Sequence, residues 1–314
     1  MDVVFSRNTI QYDKNTVVTV GTFDGVHEGH REILREVVRR ATARGGRSVV
    51  VTFEPHPREV VGTAAVQLLT TLDERQRLID EVGPDILFVI PFTYEFSRQS
   101  FREFYLTYFI EGIGVSEIVE GYDHHFGRDR EGNIEELLKL GKEFELSIVV
   151  VKPYTVDGEV VSSSKIRQHL IDGNVERARV LLGRPYSVTG TVVRGEGRGA
   201  RLGYPTANIA LASAKKIVPR DGIYFVGVRV DQKFHPGMAS IGVRPTFSSN
   251  GQRTVEVNIL EYRGDLYGQS IELHFLKRLR DEQKFDSAEA LVAQMDRDRV
   301  ESLKLRQEYA LLFH

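Results

Sequence analysis

The chain has 314 residues, 42 Lys+Arg against 44 Asp+Glu for a formal charge of −2, 41% hydrophobic residues and no cysteine. That length allows two domains with separate cores, the near-neutral balance argues against a general polyanion binder and so against a nucleic-acid partner, and the lack of thiols excludes disulfides and thiolate metal sites. Met1–Ile10 has no apolar signal core and no apolar run nears the length of a membrane span, which predicts a soluble, cytoplasmic protein without a membrane partner.

The first half alternates two periodicities. Val17–Gly21 reads as a buried strand, His27–Arg44 as a helix, Ser48–Phe53 as a strand and Leu72–Glu81 as a helix. Ile86–Ile90 is a strand ending at Pro91, Ser100–Phe109 an aromatic-rich helix, and Glu117–Glu120 a short strand. Ile134–Phe144 is a helix, Ser147–Val151 a strand, and Ser163–Asp172 and Val175–Leu182 are helices. The alternation predicts an open parallel sheet with helices on both faces. Ligands then sit beyond the C-terminal strand ends, where Gly21–His30, Glu54–Pro57 and Gly121–Gly127 can converge.

The rhythm changes after Gly183-Arg184-Pro185, which sets domains of 1–183 and 184–314. Tyr186–Val193, Gly222–Val230, Met238–Gly242, Val255–Leu260 and Ser270–Phe275 read as short strands of a small antiparallel barrel or sandwich. A final helix, Asp286–Leu312, carries Ala288, Leu291, Val292, Met295, Val300 and Leu303 on one face and is expected to pack against those strands.

Three stretches of the first half carry chemistry. The turn Gly21-Thr22-Phe23-Asp24-Gly25-Val26-His27-Glu28-Gly29-His30 joins a strand to a helix, so backbone N–H groups and a helix N-terminus meet at one point, an anion site. His27 and His30, three apart, share a helix face and can aim at one phosphate of a nucleoside triphosphate. The Gly-Lys-Ser/Thr ending of a P-loop is missing. Ser162-Ser163-Ser164-Lys165-Ile166-Arg167 opens a helix with three hydroxyls and two cations. Capping explains one serine, and phosphate binding suits the set. Gly121-Tyr122-Asp123-His124-His125-Phe126-Gly127-Arg128 is either a polar surface loop or a strand-end turn in which Asp123 accepts from a ribose or substrate.

These residues resemble the nucleotidylyltransferase superfamily. More narrowly, with Thr52-Phe53-Glu54-Pro55-His56-Pro57, the half resembles the adenylyltransferase module of prokaryotic bifunctional riboflavin kinase/FAD synthetases. The resemblance implies a Rossmann-like domain in which Gly21, Phe23, Asp24, Gly25, His27 and His30 bind the ATP phosphates, with His27 and His30 catalytic. It implies that Asp123 lies at the flavin/nucleotide site and that Ser162, Ser163, Ser164 and Arg167, with Lys165, stabilise departing pyrophosphate. His124 stands where the family usually has Phe, and Ser164 where it often has Thr. Adenylyl transfer needs alignment and charge neutralisation, with no covalent enzyme group; Mg²⁺ is expected with the ATP.

In the second half Gly195, Gly197, Gly199 and Gly203 form a glycine-rich loop that can cover phosphates. It runs into Tyr204-Pro205-Thr206-Ala207-Asn208. Extended, Thr206 and Asn208 project to one side and can offer oxygens to one hard cation, while a turn held by Pro205 and Asn208 is the plainer reading. Glu256 shares a strand face with Thr254 and Asn258, either as a solvent-facing residue or as a carboxylate that orients a hydroxyl and accepts its proton. Gly-Tyr-Pro-Thr-Ala-Asn, Asp221-Gly222-Ile223-Tyr224, Ile241–Thr246, Val255-Glu256-Val257 and Leu279–Phe285 resemble riboflavin kinase across nearly all of 184–314. That resemblance implies a six-stranded Greek-key barrel with a terminal helix. ATP would lie on Gly195, Gly197, Gly199, Gly203, Pro205, Thr206 and Asn208, Mg²⁺ on Thr206 and Asn208, the base would be Glu256, and Arg280 would lie near the flavin.

The two resemblances together imply one chain with two activities: riboflavin and ATP to FMN and ADP, then FMN and ATP to FAD and pyrophosphate. The alternatives are a riboflavin kinase with a weakened first domain, and a flavin-binding sensor without turnover.

Overall fold

The computed structural model describes residues 1–62, 66–122, 132–195, 197–243 and 253–313. The chain divides into two compact units, Met1–Ser163 and Ser164–His314.

The first unit is a parallel sheet with helical cover. Its strands are β1 (Asp2–Val4), β2 (Thr16–Val20), β3 (Ser48–Glu54), β4 (Ile86–Pro91), β5 (Val115–Gly121) and β6 (Ser147–Val151), in the spatial order β1-β4-β3-β2-β5-β6. Helices α1 (Glu28–Ala43), α2 (Pro57–Val61), α3 (Leu72–Asp80), α4 (Tyr94–Ser97), α5 (Phe101–Phe104) and α6 (Ile134–Glu143) connect them, and a small hairpin, β7 (Thr155–Val156) and β8 (Glu159–Val160), follows β6. The sheet is buried on both faces, as parallel sheets are. Val49 and Val51 join the aromatic cluster of Phe53, Phe88, Phe96 and Phe104. Val50 between them packs with Phe23, Val26, Leu34 and Ile79 on the other face.

The strand order reverses at β2, with β3 and β4 on one side and β5 and β6 on the other. This is the place where doubly wound sheets open a crevice. The β2–β5 ladder reaches Val18↔Ile118. Beyond it the Val20 N–H donates to Oε1 of Glu120, a buried carboxylate, at 3.0 Å.

The aromatic helix expected over Ser100–Phe109 is a single α-turn, α5, continued by π-helical turns over Tyr105–Ile113. The Arg7 guanidinium donates to the Thr107 carbonyl at 2.6 Å. The wide turns bury Tyr105, Phe109 and Ile113 together.

The second unit begins with α7 (Ser163–Ile171, entered from its second residue) and α8 (Val175–Leu182), followed by β9 (Tyr186–Val193), α9 (Arg198–Arg201), β10 (Ala207–Leu211), β11 (Gly222–Val230), β12 (Lys233–Val243), β13 (Arg253–Ile259) and β14 (Ser270–Arg280). The strands close an antiparallel barrel in the order β10-β13-β12-β11-β14-β9. Tyr224, Val226, Val228, Val257, Leu273 and Phe275 are buried in it. The unit begins within α7, earlier in the chain than the change of rhythm at Gly183, because α7 and α8 are riveted to the strands. Arg220 N–H donates to Leu170 O at 3.0 Å. Arg278 donates to Asp221 O at 2.7 Å and to the Tyr224 hydroxyl at 3.3 Å, and packs against Gly173 in the α7–α8 turn.

Helices α10 (Ala288–Glu308) and α11 (Ala310–Phe313) cover the outer barrel face. The apolar face expected for α10 is only partly the buried one. Val292, Met295 and Leu303 pack, but Val300 is 53% exposed and Ala288 is exposed. The fully buried positions are Asp298, Ser302 and Leu305, at helical spacing, because the helix is held by polar as well as apolar contacts.

Outside the barrel, the buried Glu272 carboxylate accepts from the Ser187 hydroxyl at 2.8 Å and from Arg229, with His274 Nε2 at 3.3 Å. Burial alone would raise this carboxyl, but the His274 and Ser187 contacts and the Arg229 charge outweigh it and hold it at about 2. A lowered carboxylate contributes stability that is fully present above its ordinary value near 4.3 and is lost as pH falls toward about 2. Glu272→Gln is therefore expected to cost roughly 2 kcal/mol at neutral pH, with the gap to the parent protein closing as acid is added. Urea unfolding across that pH range checks it, and a gap constant with pH would refute the assignment.

Candidate active sites

The turn after β2 is held in a conformation that few sequences tolerate. Phe23, Gly25 and Val26 have φ of 47°, 88° and 37°. For Phe and a β-branched Val this is strained backbone, which persists only where surroundings enforce it. Both side chains are buried with Leu34 and Ile79. From the other side Asp24, 1% exposed, grips the Leu69–Thr70 backbone. Its carboxylate accepts from Leu69 N–H at 3.0 and 3.1 Å, from Thr70 N–H at 2.9 Å and from the Thr70 hydroxyl at 3.0 Å. Thr70 Oγ1 in turn accepts from Gly25 N–H at 2.9 Å. The Asp24 carboxylate and the Gly25 N–H shape the turn expected to bind phosphate.

His27 is the N-cap of α1, and its Nδ1 accepts from His30 N–H at 3.2 Å. That acceptor role assigns the ring proton to Nε2. The His27 and His30 rings stack at 3.6 Å and 17°, and the Phe23 ring meets His30 edge-on at 5.3 Å. The two imidazoles form one rigid unit at a helix N-terminus, where anions are favoured. Gly21 packs under the Phe23 ring.

Arg75 and Glu120 escape a reading of the sequence. Arg75, 2% exposed, donates to Thr22 O at 2.8 Å, Phe53 O at 3.1 Å and Glu54 Oε2 at 2.7 Å. Burial pulls its pKa down, against the charges of Glu54 and Asp24. It staples the turn after β2 to the end of β3. The available signal was the Thr71–Glu74 capping box, which fixes the start of α3 and so the face on which Arg75 lies.

The Ser163 hydroxyl donates to Asp24 O at 2.8 Å, which brings Ser163 to the turn, and Ser162 precedes it half-buried. Ser164, Lys165 and Arg167 follow in the first turns of α7, within the second unit. Asp123 and His124 lie outside the described residues.

In the barrel, the segment expected as an extended run or a turn leads into strand β10, whose Asn208 is paired on both sides. Asn208 faces Glu256 of β13 and Val193 of β9. The Thr206 hydroxyl donates to Glu256 Oε2 at 3.2 Å. The Asn208 amide occupies the space a side chain at position 195 would need, since a Cβ on Gly195 would sit 2.1 Å from Nδ2. Thr206, Asn208 and Glu256 thus converge beside the glycine loop. Gly199 lies within α9, Gly197 and Gly203 at its ends, and Pro205 enters the strand. The Tyr204 hydroxyl donates to Asp296 of α10; burial and that carboxylate push the phenol up to about 12.

Arg280 is tied down. Its guanidinium forks onto Asp298 at 2.6–3.0 Å and donates to Asp281 O at 3.0 Å. The side chain expected near a flavin joins β14 to α10. Among the described residues no three His, Asp or Glu side chains gather as a metal cage. Among the described residues the Thr206 and Asn208 oxygens are candidate hard donors, a sparse set that suits an ion brought in by phosphates. Because Thr206 gives its proton to Glu256, its lone pairs remain available to a cation.

A family model described as FAD synthetase matches residues 9–165, and one described as riboflavin kinase matches residues 182–305. The bifunctional riboflavin kinase/FMN adenylyltransferase of Listeria monocytogenes is 35% identical over 91% of each chain, and that of Escherichia coli K12 is 36% identical over 90% of each. The chain belongs to the bifunctional riboflavin kinase/FMN adenylyltransferase family. A crystal structure from Streptococcus pneumoniae, described as a macrolide-efflux protein, superposes with a TM-score of 0.87 at 33% identity, covering 96% of this chain and 97% of that one. Among the described residues no helix is long and apolar enough to cross a membrane. As a member of the family the chain is a flavin-biosynthesis enzyme with both activities, using riboflavin, FMN and ATP and yielding FMN and FAD. ATP-using domains of these two kinds take a divalent metal.

Asp24→Ala removes four contacts of a buried carboxylate, and the first unit is expected to lose roughly 2–3 kcal/mol of stability. FAD formation from FMN should fall while FMN formation from riboflavin persists. Denaturant unfolding and the two product assays test this, and equal loss of both activities would contradict it.

Proposed function

We propose that each compact unit carries one of the two activities, with the residues above in the following roles. In the barrel, the riboflavin 5′-hydroxyl attacks the γ-phosphorus of ATP, the bond to the β-phosphate bridging oxygen breaks, and FMN and ADP leave. Glu256 orients the hydroxyl and takes its proton. A primary alcohol is far less acidic than a carboxyl of ordinary pKa near 4.3, so the transfer comes late, once bonding to phosphorus has acidified the oxygen. Thr206 and Asn208 would hold Mg²⁺, which when bound neutralises charge on the ATP phosphates. The glycine loop lies over those phosphates. Arg280, through Asp298, sets the course of the chain after β14 beside the flavin. The observation that carries this reading is the strand register that sets Asn208 opposite Glu256, with the Thr206 hydroxyl bonded to that carboxylate.

In the first unit, an FMN phosphate oxygen attacks the α-phosphorus of a second ATP and pyrophosphate departs. The His27–His30 pair and the α1 N-terminus bind and neutralise phosphate oxygens, supported by their stacked geometry at a helix start. Ser162 and Ser163 stabilise pyrophosphate, and Asp123 contacts the flavin nucleotide. ATP as substrate and the lack of cysteine suit a cytoplasmic enzyme.

The test is product analysis with riboflavin and excess Mg-ATP, following FMN and FAD over time. FMN is expected first and FAD after it; FMN without FAD would overturn the bifunctional assignment of roles. Glu256→Ala should keep riboflavin binding, read by flavin fluorescence, and lose about 100-fold or more in FMN formation. Near-normal turnover would remove Glu256 from the mechanism. His30→Ala should spare FMN formation and lower FAD formation about 100-fold, and unchanged FAD synthesis would exclude His30.

A further inference from the structure

Asn258 lies on β13 two residues after Glu256 and so on the same strand face. It is 7% exposed. Across β12 it stands opposite Met238, which packs with Tyr204, Leu260 and, from α10, Val292 and Met295. A buried amide in such apolar surroundings is retained only with hydrogen-bond partners. Its Nδ2 donates to the Pro205 carbonyl at 2.7 Å. That carbonyl belongs to the peptide immediately before Thr206, and the Thr206 hydroxyl reaches Glu256 at 3.2 Å. Strand β13 therefore grips the Pro205–Thr206 segment twice, once at the backbone through Asn258 and once at the side chain through Glu256. Proline has no N–H and a fixed φ, so its carbonyl is the one polar backbone handle at that position.

We infer that Asn258 is a positioning residue for the riboflavin kinase reaction: by holding the Pro205 carbonyl it aims the Thr206 hydroxyl. The inference rests on the reading of Thr206 and Glu256 as working groups of the kinase. Asn258 acts through Thr206 and is buried away from the reactants. Small misplacements of such groups are costly, because alignment supplies much of the catalysis.

Asn258→Asp keeps the shape and removes the donor while the new carboxyl is ionised. FMN formation is expected to fall about 10- to 100-fold, mainly as a raised KM for Mg-ATP. FAD formation from added FMN should be unchanged and serves as the folding control for the rest of the chain. Burial raises the pKa of the introduced carboxyl; once protonated, its O–H can donate to Pro205 O. The variant-to-parent activity ratio should therefore rise as pH is lowered from about 8 to about 6. In a double-mutant cycle, Asn258→Asp should cost little once Thr206→Ala is present, since both remove the same alignment. A wild-type KM for Mg-ATP, a ratio flat with pH, or losses that add with Thr206→Ala would each overturn the inference. Should the aspartate variant fail to bind riboflavin, Asn258→Gln, whose longer side chain displaces the donor, is put through the same double-mutant cycle and judged by the KM for Mg-ATP and by additivity with Thr206→Ala. The two failures are separable: full activity in Glu256→Ala sinks the underlying reading, whereas a dead Glu256→Ala beside an unaffected Asn258→Asp sinks only the role of Asn258.

Discussion

Strand β2 runs on to Val20 after its ladder with β5 has stopped at Val18, and Glu120 accepts from the Val20 N–H left over. An unpaired buried N–H costs about 1–3 kcal/mol, so this bond lets two neighbouring strands part. The parting is the crevice, and the Gly21–His30 turn starts at its lip. What surrounds the turn answers the same need. Arg75 satisfies the carbonyls of Thr22 and Phe53, and Asp24 satisfies the N–H groups of Leu69 and Thr70. With those groups occupied, Phe23 and Val26 are kept in left-handed backbone, and the two histidines are presented at the head of α1.

The barrel solves its problem differently. A closed sheet has no edge and no parting strands, so its site is built from register. Asn208 and Glu256 meet because β10 pairs with β13 at one particular offset, and a slip of one residue would turn one of them to the opposite face. That register is backed from outside by α10, through the Tyr204–Asp296 and Arg280–Asp298 contacts.

Apolar runs and periodicity made most of this legible in the amino-acid order. β6 and α8 fall where the pattern puts them, and β2, β3 and α1 agree to within a residue or so. β10 was harder, because Pro205-Thr206-Ala207-Asn208 looks like a turn until β9 and β13 pair with it on either side. On α10 the apolar residues misled at Val300, since the buried stripe runs through Asp298 and Ser302. The pairing of Thr206 with Asn208, and of His27 with His30, was visible as motif spacing, whereas the meeting of Thr206 with Glu256 was implied only by the family resemblance. The buried charges were not. Nothing local to Arg75 or Glu120 reveals which backbone groups a distant turn or strand end will leave unpaired, and the same holds for the commitment of Asp24 to the 69–70 loop and of Arg280 to Asp298.

The rivet between Arg278 and Gly173 bears on how the gene can be cut. A fragment starting where the riboflavin kinase match starts, at residue 182, would discard the α7–α8 turn on which the Arg278 stem rests and most of α8. It would also strip the Leu170 carbonyl from Arg220. A free-standing barrel therefore needs its coding sequence opened at Ser163, at the head of α7. A cut placed by the family match alone would leave the barrel without the helices that brace it.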